Sequence, residues 1–175
     1  QDTAELVLYA TRENGWSNLC ELLTRASESS SRANRCLGME DLLACHGDLI
    51  ALMGPEWVEA PGAAAAVADA FGDRLYIEAH RQRLSTDELH NAKSEHLARH
   101  LGRHIVATSR VLHHRPERQP LQDVLRCIQH KVSLDTAGRL LEPNAERHLR
   151  PIPDMVKLFS DRPAWLEHTL ELADR

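Results

Sequence analysis

The chain reads as an α/β fold in which parallel strands are joined by helical crossovers and followed by helices alone. Three observations predict this. Short apolar runs at Leu6–Ala10, Leu49–Met53, Leu75–His80 and Ile105–Ala107 each precede a stretch whose apolar residues fall at helical spacing. Ile105-Val106-Ala107 shows no polar alternation, the pattern of a strand buried on both faces. Residues 151–175 hold two proline-led helix starts and no further strand. A repeated β-α order argues a parallel sheet with right-handed crossovers, with too few strands to close a barrel of the usual kind.

The elements follow in order. Glu5–Ala10 is the first strand, and Asn14 offers a cap for a helix carrying Trp16, Leu19, Leu22 and Leu23. The serine-rich run Ser27–Arg35 is expected to be a mobile loop, and Met39–Cys45 a short helix. Leu49–Met53 ends at Gly54-Pro55, and an alanine-rich helix spans Ala60–Phe71. In the strand Leu75–His80, alternation sets Leu75, Ile77 and Ala79 against Tyr76, Glu78 and His80, a polar face that should look into a site or water. Ser85 and Glu88 have the spacing of a capping box for a helix Thr86–Leu101, which Gly102 ends.

After Ile105-Val106-Ala107 comes the turn Ser109–Arg115, at the carboxyl end of a strand, where α/β proteins build sites. Pro120 then opens a helix whose Leu121, Val124, Leu125 and Ile128 make one apolar stripe. Ser133 can cap a short helix through Leu141, Asn144–Arg150 is irregular, and Pro153 and Pro163 open the last two helices. Residues 1–150 would form the α/β body and residues 151–175 helices that pack on it or lead onward.

Composition narrows the function. Aromatics are 4% of the 175 residues, so the core must be aliphatic. The longest apolar run, Gly62–Ala70, is too short to span a bilayer, and no signal peptide is visible, which points to the cytoplasm. Four cysteines with no C-x-x-C pair read as buried or free thiols. Residues 1–80 carry 5 basic and 13 acidic side chains, whereas residues 81–150 carry 13 and 8. The second segment can present a positive face to an anionic partner such as DNA, or merely a solvated one. Glycine-rich phosphate loops, G-x-S-x-G elbows and H-E-x-x-H pairs are all missing from the sequence.

Two runs carry a resemblance. Pro120-Leu121-Gln122-Asp123-Val124-Leu125 with Ile128, and Asn144-Ala145-Glu146-Arg147-His148-Leu149, resemble the PHP (polymerase and histidinol phosphatase) domain of bacterial C-family DNA polymerases, in particular the error-prone type. The likeness extends weakly through Glu5–Ala26, Asp48–Gly54 and Arg74–His80. It implies part of a distorted, TIM-like barrel whose first strands would precede Gln1, and hence a piece of a longer chain. It also implies a parent that transfers nucleotides with Mg²⁺ held by carboxylates beyond Arg175. Partners would be the polymerase domains of the same chain, DNA through the parent, and further copies covering strand faces left open.

PHP domains resemble metal-dependent phosphoesterases, with His, Asp, Glu and Cys ligands at the strand ends. Here the family's His-x-His and Thr-Asp-His runs have no counterpart. Its cysteine after the second strand falls on Pro55, and its Asp-x-His falls on Arg110-Val111-Leu112. Arginine stays protonated and leucine has no lone pair, so neither ligates a metal. No catalytic or metal-binding residue is therefore expected, and no cofactor within these residues. Arg115, Arg118, Arg147 and His148 are the candidates for contact with DNA or a neighbouring domain. Arg147 and His148 could equally tie their own loop to the body. Glu78, His80 and His113 could form an unrelated site. The alternatives are an intact metal-dependent phosphoesterase of the PHP type, whose missing first strands bring their own ligands, and a stand-alone module that binds nucleic acid or protein.

Overall fold

In the computed structural model, which describes residues 4–28 and 36–175, the strands are β1 (Leu6–Ala10), β2 (Leu49–Met53), β3 (Leu75–His80) and β4 (Ile105–Thr108). The helices are α1 (Glu13–Glu28), α2 (Met39–Ala44), α3 (Pro61–Phe71), α4 (Asp87–Leu101), α5 (Gln119–His130), α6 (Leu134–Ala137), α7 (Ile152–Leu158) and α8 (Pro163–Ala173). Ser27 and Glu28 belong to α1, and residues 29–35 of the expected serine-rich loop lie outside the described residues.

The described strands form one open sheet in the order β1-β2-β3-β4. The pairs β2-β3 and β3-β4 are parallel, as expected, with α3 and α4 as crossovers. The pair β1-β2 is antiparallel, which corrects the all-parallel expectation. Two helices, α1 and α2, separate these strands, so the chain leaves and returns at the same end of the sheet. Thr11 fixes that return, because its N–H and its hydroxyl both donate to the Asp48 carbonyl at 3.0 Å. Gly15 permits the close approach: a Cβ there would lie 2.1 Å from the same carbonyl oxygen.

Every residue of β2 and β3 is buried. One sheet face, with Leu49, Ala51, Met53, Leu75, Ile77, Ala79, Ile105 and Ala107, meets Leu22, Trp57, Val67, Phe71, Leu97, Phe159 and Trp165 in the main core. The other carries a smaller cluster of Ile50, Leu52, Tyr76 and Val106, against which Val7 and Leu172 pack. Both faces of β2 and β3, expected to lie open, are thus covered, whereas β1 is half-buried and leaves Tyr9 exposed. The outer edge of β4 is also blunted. The Thr169 hydroxyl accepts from the Ala107 N–H at 3.2 Å, and His168 Nδ1 lies 2.8 Å from the Ile105 carbonyl.

Three caps and faces differ from the sequence reading. Asn14 lies inside α1 and reaches Asp48 rather than capping. The Ser85–Glu88 box does not form; α4 begins at Asp87, whose Oδ2 accepts from the N–H groups of Gln82 (2.9 Å) and Leu84 (3.1 Å). Asp87 thus secures the loop that enters the helix, while Glu88 turns to Arg81 at 3.1 Å. The stripe of α5 is present but points outward: Leu121, Val124, Leu125 and Ile128 are all exposed.

Candidate functional site

The carboxyl ends of β2, β3 and β4 lie together, and the reversed β1 brings Glu5 to the same end. Glu78 is the central group. Buried on β3, it accepts from the Thr108 hydroxyl of β4 at 2.6 Å and lies 3.4 Å from Arg110 Nε. Burial pushes its carboxyl up, against the pull of Thr108 and Arg110. Arg110 follows β4 with a left-handed backbone (φ 44°), which turns its side chain back over the strand ends. Its second terminal nitrogen reaches Glu5 at 2.5 Å. The guanidinium therefore bridges two carboxylates, Glu5 just before β1 and Glu78 of β3. Arg147 holds the same turn from outside, donating to the Arg110 carbonyl at 2.8 Å and pairing with Glu142 at 2.8 Å.

Beside this bridge is a cavity of about 230 Å³ lined by Pro55, Glu56, Glu59, His80, His90, Lys93 and Arg110. His80 is buried, with Nδ1 unpartnered, and its ring centroid lies 5.9 Å from that of His90. Burial first, then the charges of Arg110 and His90, hold its imidazole down to about 4, so it is neutral near pH 7. Lys93 pairs with Glu59 at 2.8 Å. The Glu56 carboxylate folds over Gly54, where a Cβ would meet it at 2.4 Å.

The cavity cations are thus matched by carboxylates of the chain itself, and its imidazole is uncharged. No three His, Cys, Asp or Glu side chains gather to hold a metal ion among the described residues. Pro55 and Arg110, where the resemblance would set a cysteine and an aspartate, both border the cavity. The residues present do not fit a metal cluster.

The remaining candidates lie apart from this centre. Arg115 precedes and Arg118 ends a single 3₁₀ turn, Pro116–Arg118, and both are exposed, with no hydrogen bond or ion pair of their guanidinium groups among the described residues. Arg147 and His148 are half-buried and tie their loop to the turn after β4: the Arg147 carbonyl accepts from the N–H groups of Leu112 and His113, while His148 Nδ1 lies 2.9 Å from the Ala145 carbonyl within the loop. His113 is buried with both ring nitrogens unpartnered and is not among the groups around Glu78 and His80. The sequence reading missed Glu5, Glu56 and Lys93. Glu5 had one signal, a carboxylate directly before an apolar run, but its place depends on the reversal of β1.

An open α/β sheet with an ion-paired, ligand-poor strand end is the class of protein defined here. No protein-family model matches the chain. It is 32% identical over 176 residues to error-prone DNA polymerase 2 of Agrobacterium fabrum, and 32% over 182 residues to the error-prone DNA polymerase of a Bradyrhizobium species. A third relative, the error-prone DNA polymerase of an Anaeromyxobacter species, is 35% identical over 185 residues. These matches take in 98–99% of this chain, which spans only 16% of each relative's length. The chain is similar to one segment of error-prone DNA polymerases. No described helix is long and apolar enough to cross a membrane.

Proposed function

We propose that these residues form the later part of a PHP-type domain of an error-prone, translesion DNA-directed DNA polymerase of the bacterial cytoplasm, acting as a non-catalytic scaffold. The body packs against polymerase domains of the same polypeptide, with residues 151–175 completing it or leading onward. DNA is met through the parent enzyme, where Mg²⁺ would serve nucleotide transfer in a separate domain. One observation supports the scaffold reading above others: the Arg110 guanidinium stands between Glu5 and Glu78, where a metal-dependent relative would need ligands. A fixed cation neutralises the buried carboxylate at the strand ends, so the architecture persists without metal-activated water.

The test is direct. The chain is incubated with Zn²⁺ or Mn²⁺, dialysed and assayed for bound metal by mass spectrometry, and for release of phosphate from a generic aryl phosphate. Bound metal well below one equivalent and no hydrolysis above buffer are expected. Stoichiometric metal with turnover would replace this reading by that of a PHP-type phosphoesterase. For the parent, Arg110→Asp in the intact polymerase should lower thermal stability while single-turnover nucleotide incorporation by the surviving folded enzyme stays near the parent rate.

A further inference from the structure

Helix α4 turns Asn91, Ser94, Leu97 and Ala98 inward, all buried, and carries His96 and His100 on its outer side. Four residues apart within one α-helix, these two are neighbours on a single face. Both are exposed, and their rings stand nearly parallel, 4° between planes, with centroids 6.4 Å apart. Beyond that contact neither ring has a hydrogen bond or ion pair among the described residues. The other close imidazole pairs are closed off or engaged. His80 is buried beside His90, while His104 and His168 are stacked at 4.1 Å, with His168 Nδ1 2.8 Å from the Ile105 carbonyl.

Two imidazoles at i and i+4 are the chelating pair of helix-borne zinc sites, because this offset lets both rings turn a nitrogen to one ion. A metal–nitrogen bond of ~2.1 Å sets the ion roughly 3.2 Å from each ring centre, so two rings on one ion stand at most about 6.5 Å apart. The observed 6.4 Å meets that limit before either side chain has rotated. Arg99 opposes a cation here, but it is exposed and therefore screened. The pair also lies over the last turns of α4, the negative end of the helix. That dipole accounts for His100 alone; His96, a turn earlier, gains little from it. Glu95 is held by Arg162 at 3.0 Å, and no third ligand joins the pair among the described residues.

We propose that His96 and His100 form a two-histidine chelate for a divalent ion of the imidazole-preferring class, Cu²⁺, Ni²⁺ or Zn²⁺, with water in the remaining positions. Cu²⁺ binds tightest in the usual order of the divalent series, and Mg²⁺, which takes oxygen ligands, does not compete. Helix α4 runs from the carboxyl end of β3 back to the start of the parallel β4, so its last turn lies at the opposite end of the sheet from the cavity beside His80. The chelate therefore rests on neither the PHP likeness nor the polymerase reading. With two protein ligands its dissociation constant is on the order of 10 µM, so the ion is lost on dialysis and the metal assay described above is undisturbed.

Isothermal titration of the chain, free of any histidine tag, with NiCl₂ at neutral pH tests the proposal. Ni²⁺ is the probe because the exposed thiol of Cys20 attracts softer ions. One equivalent should bind with a dissociation constant of about 1–100 µM, unmoved by roughly 5 mM Mg²⁺. His96→Asn and His100→Asn should each weaken binding about ten-fold or more, since each leaves a single imidazole, whereas His104→Asn should leave it unchanged. Both side chains are exposed, so the metal-free circular-dichroism melts of the two variants should match that of the parent chain. Ni²⁺ at about 1 mM should raise the parent's thermal midpoint by several degrees and that of either variant by less. No binding below about 1 mM, a site that follows His104 or is indifferent to His96→Asn and His100→Asn, or displacement by Mg²⁺ would each overturn the proposal.

Discussion

Glu78 and His80 share one strand face, and opposite physical demands act on them. Glu78 retains a cation, and Arg110→Met would leave its carboxylate in a buried site with only Thr108 as donor. We expect a loss of about 2–3 kcal/mol at pH 7 by urea denaturation, most of it recovered when Glu78→Gln is added. Because the folded-state value of Glu78 is raised, the carboxyl favours folding below its unfolded value, and that contribution fades as pH rises through the folded value. The Arg110→Met defect should therefore shrink in acid. His80 has the contrary sign: its folded value of about 4 lies below that of the unfolded chain. The stability it confers is present above about pH 6.5 and is lost as pH falls towards 4, by at most about 3 kcal/mol. His80→Gln should flatten stability between those limits, and an unchanged slope would refute the assignment.

At the scale of elements, the legible parts were those set by local chemistry. The apolar runs became β2 and β4 because strands buried on both faces need no alternation, β3 followed its alternation of apolar and polar residues, and Pro163 begins α8 because that position needs no N–H. The direction of β1 was illegible, since it depends on how the connection between β1 and β2 folds back. Asp87 replaced the Ser85–Glu88 cap for a similar reason: its carboxylate found two loop N–H groups that no spacing rule foresees. Of the candidate site, the polar face of β3 with Glu78 and His80 and the place of Arg110 after the last strand were legible. The bridge from Glu5 to Glu78 was not, because Glu5 reaches that end only through the reversal of β1. Gly15 gives a test of this packing. In a helix interior Gly→Ala ordinarily stabilises by about 1 kcal/mol. Here the new Cβ would strike the Asp48 carbonyl, so Gly15→Ala should destabilise by about 1–3 kcal/mol, read from the thermal midpoint.

Across the whole molecule, charge is divided by use. The cations around the strand ends are spent on the protein itself: Arg110 on Glu5 and Glu78, Lys93 on Glu59, Arg147 on Glu142, and Arg81 on Asp161 at 2.5 Å. Arg115 and Arg118 project from the turn before α5 without such partners. Of the four candidates, then, Arg115 and Arg118 rather than Arg147 or His148 should contribute to any electrostatic attraction for DNA phosphate. A fluorescent single-stranded oligonucleotide titrated at about 20 mM salt should bind weakly and release as salt rises. Arg115→Glu with Arg118→Glu should lower affinity and reduce the slope of log affinity against log salt by about 1–2, leaving the thermal midpoint unchanged. Arg147→Glu should do the reverse, lowering the midpoint because the Arg110 turn loses its outer tie, with little effect on the slope of the protein that remains folded. If the double charge reversal leaves the salt dependence untouched while Arg147→Glu abolishes it, the division drawn here between structural and free cations is wrong.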